Sequence, residues 1–310
     1  ARTIVDSALM GRDNTSTSRR SRRSSKTQRA SETTTSEELL AFEFETRGLD
    51  IRWTGAESFH AVGEGEAHSV WRSVTNHTGS GSVAASTRPA EVDWLLRRKG
   101  LPVPEGRNFT RRAQKSGRTY ARDLGAVHLR AGTLRPIPTD PVDTAAFAAA
   151  WATAHEHAEL SGVTVNRRCA GTRVRVIVAH GRALAAIVTA ADGAAVTKPH
   201  LHRSYRALAA EATRAIPGLD LAEVTLVVDD PRRPASANTV VVEDVRPEPD
   251  LIEFRDHGFL FHGDLARRIV DLHLGSPNPR PEPPLQWQPR TGGRGDTRVR
   301  IEKAARSVVR

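Results

Sequence analysis

The sequence predicts an α+β fold, and three observations carry the prediction. Two pairs of β-branched runs read as hairpins: residues 173–178 with 183–189 around His180-Gly181, and 224–228 with 239–245 around a turn rich in Pro, Asp, Ser and Asn. Helix-period segments at 91–99, 111–124, 205–216 and 265–274 accompany these strands. The clearest helix, 143–160, is alanine-rich, starts at the capping residue Asp143 and carries Phe147 and Trp151 on one face.

In chain order, residues 1–36 are rich in Ser, Thr and Arg and too poor in apolar side chains to offset their ordering entropy, so they are predicted to be a disordered basic tail. Order is predicted from Glu37. Residues 39–44 and 49–53 read as a short helix or a strand pair, and glycine-punctuated strands follow at 59–62 and 68–74. The segment SVTNHTGSGSVAAS, 73–86, reads as a polar loop of small residues. Val92, Leu95 and Leu96 stand at helical spacing in a helix stopped by Gly100. LPVPEG, 101–106, is a proline-stiffened connection to a helix over 111–124. A short strand at 126–130 places His128 and Arg130 on one face. Residues 163–167 form a strand, 205–216 a helix and 265–274 a last amphipathic helix before Gly275. On the strand ending at Arg246, alternation puts Asp244 and Arg246 on one face and Glu243 and Val245 on the other. The domain reading is therefore a basic tail at 1–36, one folded domain at 37–275 and a proline-rich basic tail at 276–310.

Charge follows the same partition. The net charge is +10, and each tail holds eight Lys/Arg and three Asp/Glu, which leaves residues 37–275 neutral. Nucleic acid or an acidic partner is thus expected to meet the tails and not the domain. The single cysteine, Cys169, rules out an internal disulfide, points to a reducing compartment and argues against a zinc cluster. No apolar run approaches the roughly 18 residues of a membrane span, and the expected location is cytoplasmic.

Several phrases, in order, resemble one family. SVTNHTGSGSVAAS precedes LLRRKGLPVPEG (95–106), then come VNRRCAGTRVRVIVAHGRALAA (165–186), ALAAEATRAIPGLDLAEVTLVV (207–228) and VVVEDVRPEPDL (240–251). Over about residues 50–275 this order resembles the ATP-grasp superfamily of carboxylate–amine ligases, nearest the ATP-grasp part of cyanophycin synthetases and ribosomal-protein glutamate ligases. The resemblance implies two α+β subdomains enclosing a nucleotide cleft, with ATP and magnesium as cofactors. It also implies an acyl-phosphate that an amine displaces, with a small-molecule or peptide substrate.

Position by position, the resemblance puts the phosphate-strand lysine on Arg130 and a second lysine near Arg88. The hinge glutamate falls on Asn166, and the arginine of the following strand on Arg175. One magnesium aspartate falls on Thr225, the terminal magnesium glutamate on Asp244, and its asparagine on Arg246. The glycine-rich flap is replaced by AGTLRPIPTDPVD, 131–143. Arg88, Arg130 and Asn166 are thereby expected to bind nucleotide, Arg175 and Arg246 to act on the reacting phosphate, and Asp244 to hold metal. A guanidinium about 4 Å from a divalent ion costs roughly 8 kcal/mol at an effective dielectric of about 20, twice the unit-charge figure. Arg246 therefore swings to solvent, replaces the metal and touches phosphate, or simply pairs with its neighbours.

Three functions stay open on this reading: a divergent ligase, a catalytically degenerate ATP-grasp module that binds or regulates, and nucleic-acid binding through the tails. Homo-oligomerisation is left open. Among other candidates, HEHAE (155–159) lacks the second histidine at the i+4 position of a zinc helix, and a solvated helix face accounts for it. KPHLHR (198–203) reads as a surface loop, His257 and His262 as a pair near a substrate pocket, and Cys169 as a packed thiol.

Overall fold

The computed structural model describes residues 35–63, 65–158, 161–190, 200–261 and 264–275, with the backbone of 286–289 and 299–302. The chain divides into Ala1–Thr35 and Ser36–Arg310, and every described element belongs to the second unit.

Helix α1 (Ser36–Thr46) buries Leu40, Ala41 and Phe44, the i, i+1, i+4 face of an amphipathic helix. Strands β1 (Asp50–Gly55), β2 (Ser58–Gly63), β3 (Glu66–Trp71) and β4 (Val74–Thr75) pair in sequence order as an antiparallel sheet. The segment expected to be a polar loop holds β4 and then helix α2 (Ser80–Ser86). Its serines turn inward: the Ser82 hydroxyl donates to the Gly79 carbonyl at 2.6 Å and Ser86 to the Ser82 carbonyl at 2.8 Å. Serine scores as a turn former because it competes for backbone groups. Here that same bonding closes a helical turn. Helix α3 (Pro89–Arg98) begins with proline in its first turn, where no N–H is needed. It ends as expected at Gly100, whose φ of +71° suits a residue without Cβ.

Strands β5 (Gly106–Phe109), β6 (Val127–Arg130), β7 (Ile137–Thr139) and β8 (Val163–Arg167) form a second sheet in the order β5-β8-β6-β7. Helices α4 (Gln114–Leu124) and α5 (Thr144–His157) cover one face of it, with Leu129, Phe147, Trp151 and Val165 in the core between. Asp143 caps α5 as expected, accepting from the N–H groups of Ala145 and Ala146. The sequence pattern missed β5, because GRNF carries a single apolar residue. Glycine is required there: a Cβ on Gly106 would stand 2.8 Å from the Val165 carbonyl oxygen.

The largest sheet has the order β12-β11-β9-β10-β13, built from β9 (Thr172–Ala179), β10 (Arg182–Thr189), β11 (Leu221–Val228), β12 (Val240–Arg246) and β13 (Phe259–Leu260). Both predicted hairpins are present. One face packs on α3 and on α6 (Arg203–Ala215) through Val174, Val176, Val224 and Leu208, all fully buried. Each such valine or leucine contributes about 1.5–3 kcal/mol by leaving water. The other face packs on α1, on α7 (Leu251–His257) and on α8 (Leu265–His273) through Ile177, Leu221 and Phe254.

Within the tail expected at 276–310, β14 (Gln286–Pro289) pairs antiparallel with β15 (Val299–Glu302), while residues 1–34 lie outside the described residues. Among the described residues no helix is long and apolar enough to cross a membrane.

Candidate active cleft

Strand alternation builds the cleft. On β6 and β8, Val127, Leu129, Val163 and Val165 turn into the core, so His128, Arg130, Thr164 and Asn166 turn to the opposite side. The large sheet answers from β9, β11 and β12, where Arg175, Thr225 and Asp244 lie in one row across the ladder. Two charged layers thus meet, and how their charges pair decides what the cleft can do.

Arg130 is 2% exposed and donates from one terminal nitrogen to Asp93 Oδ1 at 2.7 Å and from the other to Asp244 Oδ1 at 2.9 Å. Burial opposes its charge, but the two carboxylates outweigh burial and hold its pKa above the ordinary arginine value. Asn166 is 1% exposed and donates through Nδ2 to Asp93 Oδ2 at 3.0 Å, while its Oδ1 is buried without a partner. Arg130 and Asn166, the expected phosphate and nucleoside contacts, are therefore joined to each other through Asp93 of α3. The sequence reading missed Asp93. It was detectable as an acid in the buried stripe Pro89, Val92, Asp93, Leu96, where a carboxylate needs a partner.

A β-bulge corrects the expected faces of β12. Thr225 pairs with Asp244 but Leu226 pairs with Val242, so Glu243 is the extra residue. Strict alternation would have sent Glu243 to the side of Val245. Instead Val245 packs in the core and Glu243 lines the cleft beside Asp244. Glu243 meets His128 Nδ1 at 3.1 Å and Arg173 Nε at 3.1 Å.

Arg175 forms a fork with Glu223, Nε to Oε1 at 2.7 Å and a terminal nitrogen to Oε2 at 3.0 Å, and both its terminal nitrogens also reach Glu253 of α7. Burial works against its charge, and the bonds to Glu223 and Glu253 raise its pKa in spite of it. Arg135, in the proline-laden segment 131–143, bonds Glu253 at 2.9 Å. Arg246 pairs with Asp244 Oδ2 at 3.2 Å and donates to the Thr133 carbonyl. Of the three outcomes open for it, pairing with neighbours is the one observed. Arg88 stands apart on the surface at the start of α3, bonded to Glu91 at 3.2 Å.

Magnesium does not fit this donor set. It needs hard oxygen ligands, usually one or two carboxylates besides phosphate. Both oxygens of Asp244 already carry a guanidinium, Glu223 and Glu243 are each held by another, and Thr225 offers only a hydroxyl.

The cleft has a volume of about 180 Å³ and is lined by Arg135, Arg168, Arg173, Arg175 and Arg246 against Glu223, Glu243 and Asp244, with His128, Thr225, Pro136 and Pro138. Five guanidinium groups face three carboxylates. Arg168 is exposed and has no side-chain partner among the described residues, which leaves a free cation at the rim. The other sequence candidates lie elsewhere. His155 and His157 close α5, His202 caps α6, His257 ends α7, and His262 lies outside the described residues. Cys169 is a free thiol that burial pushes up to about 11, so it is no nucleophile near neutrality.

Two carboxylates, Glu243 in the cleft and Glu253 behind Arg175, carry a pH dependence. Arg175 holds Glu253 below the usual carboxylate range against its burial. Burial pushes Glu243 up, and its bonds to His128 and Arg173 more than reverse this. Both folded values lie below the unfolded ones, so their stabilisation is present above the unfolded value of about 4.3 and is lost as pH falls through the folded values. Urea unfolding at successive pH values should show stability dropping below about pH 4.3, with a shallower drop in Glu253→Gln. An equal slope in that variant would remove Glu253 from the account.

No family model matches the chain, and the comparison with curated proteins found no match. Solved structures do match. The bifunctional glutathione synthetase from Pasteurella multocida aligns with 77% of this chain and 44% of its own at a TM-score of 0.52 and 14% identity. This is an ATP-grasp fold. The ATP-grasp ligase PsnB, solved with a phosphomimetic variant of its minimal precursor, Mg and ADP, aligns over 64% of this chain and 60% of its own, TM-score 0.45, 16% identity. The D-alanine–D-alanine ligase from Bacillus anthracis complexed with ATP aligns over 63% and 62%, TM-score 0.44, 14% identity. The chain spans less than two thirds of the length of each of these proteins. The structure is the mixed α+β fold that the sequence predicts, with the β5–β8 sheet and the largest sheet meeting at the charged cleft.

Proposed function

We propose that the chain is an ATP-grasp scaffold that binds an anionic group, phosphoryl or carboxylate, directly through guanidinium side chains, as a binding or regulatory module that does not depend on magnesium. The observation that carries this reading is the pairing of every cleft carboxylate with arginine while Arg168 stays free at the rim. Guanidinium forks match phosphate and carboxylate oxygens in geometry, and a cation already in place needs no metal to present charge. A cleft of about 180 Å³ holds such a group. It is smaller than the roughly 300–1,000 Å³ of a typical ligand pocket, so a whole nucleotide needs the walls to separate. Arg168 and Arg173 would take the phosphate that the resemblance gives to Arg130, because Arg130 is already bound on both sides.

Isothermal titration with ATP and with pyrophosphate, each with and without magnesium, tests this. The expected result is binding whose affinity does not change with magnesium and weakens in Arg168→Ala by about 1.5–3 kcal/mol, the usual strength of a hydrogen bond to a charged group. Failure to bind either anion at millimolar concentration would sink the reading.

A carboxylate–amine ligase using ATP is the second reading, and the fold favours it. Asp244 stands where the resemblance expects a metal carboxylate, and Arg175 where it expects an arginine. Phosphate release with some pair of amino acids or peptides, dependent on magnesium, would establish this reading and exclude the first.

A further inference from the structure

We propose that His77, His180 and His273 form a binding site for a divalent transition-metal ion of the zinc type, apart from the cleft. One ring nitrogen from each residue lies within 4.8 Å of those of the other two. A tetrahedral zinc with bonds of about 2.0–2.1 Å holds its nitrogens about 3.4 Å apart, so shifts of an ångström or so complete the set.

Three distant stretches of chain present these rings. His77 is exposed in the turn after β4, and that turn is fastened at Gly79, whose N–H donates to the Gly218 carbonyl at 3.0 Å. His180 sits at the tip of the β9–β10 hairpin with φ of +47°, a conformation uncommon for a residue with Cβ. Its N–H donates to the Asp220 carbonyl at 3.0 Å, and its Nε2 lies 3.0 Å from Asp220 Oδ2. His273 ends α8 and is 3% exposed.

The second observation is independent of this proximity. Nε2 of His273 lies 3.1 Å from His68 Nδ1, while its own Nδ1 is buried with no hydrogen-bond partner. A buried polar atom without a partner is costly, and a metal ion is one way to satisfy it. A carboxylate on the second nitrogen of a ligating histidine fixes the ring's orientation, which is what Asp220 does for His180. The C-terminal end of α8 adds the negative end of the helix dipole. Three imidazoles suit zinc, copper or nickel, and the exposed His77 gives an ion access. A site made of imidazole alone leaves no trace in a cysteine count.

The test uses the purified full chain, stripped with EDTA and titrated with zinc by calorimetry and with cobalt by visible absorption. One zinc per chain and the d–d bands of low-symmetry cobalt are expected. His77→Ala and His180→Asn should abolish both, and Asp220→Asn should weaken zinc by about 10–100-fold. Asparagine is chosen at 180 because it tolerates a positive φ. His60→Ala, an exposed histidine on β2, should bind as the parent does. Absence of stoichiometric zinc binding in the parent overturns the proposal, as does parental affinity in His77→Ala or His180→Asn.

Discussion

Asp93→Ala should cost the protein about 3–5 kcal/mol, the range for stripping one partner from a buried ion pair. The carboxylate links Arg130 and Asn166: it takes Arg130 at 2.7 Å through one oxygen and Asn166 at 3.0 Å through the other. Truncation leaves a guanidinium that is 2% exposed with Asp244 alone, and an asparagine whose Oδ1 already lacks a partner with none on its Nδ2 either. Urea unfolding measures the loss. Asp93→Asn should recover part of it, since an amide oxygen still accepts one bond. Glu91→Ala on the same helix removes only the exposed pair with Arg88, and should change stability by no more than about 1 kcal/mol. If Asp93→Ala falls in that same range, water reaches the network and the cleft is more open than described.

The second large effect concerns the corner formed by Thr225, Asp244 and Arg246. Thr225 and Asp244 are cross-strand partners, and Arg246 pairs with Asp244. The double substitution Thr225→Asp with Arg246→Asn places two carboxylates opposite each other and removes one cation. Without metal the variant should be less stable than the parent, because like charges directly opposite on a sheet repel. Magnesium should restore it, by about 1.4 kcal/mol when the ion is ten times its dissociation constant. The parent should show no shift in thermal midpoint with magnesium. A parent that gains as much as the variant would mean that Asp244 releases its guanidiniums for the ion, and the ligase reading would then be preferred.

Much of the fold was legible because its signals are local. Both hairpins, the capped alanine helix, the last helix and the Gly100 stop follow from β-branched alternation, the Asp143 cap and a positive φ, each encoded within a few residues. The order of phrases also pointed to the ATP-grasp fold, which the match to glutathione synthetase bears out. Several short elements escaped, among them β5, α2, β7, α7 and β13. β5 has one apolar residue and is held by ladder bonds to β8, and α2 is made of serines that bond backward into their own helix.

The site divides in the same way. By itself the sequence determined strand placement: Arg130, Asn166, Arg175, Thr225, Asp244 and Arg246, which the resemblance singles out, all fall on strands, and alternation turns Arg130 and Asn166 away from the core of their sheet. Only the tertiary structure decided what each one touches. A single bulge at Glu243 changed the parity of β12, Asp93 arrived from a helix 37 residues before its partner Arg130, and Glu253 came from 78 residues beyond Arg175. The histidine cluster depends still more on the fold, since its rings come from residues 77, 180 and 273. Secondary structure is written in neighbours along the chain. The charge state and free valence of a side chain depend on neighbours in space, and chain spacing does not encode them.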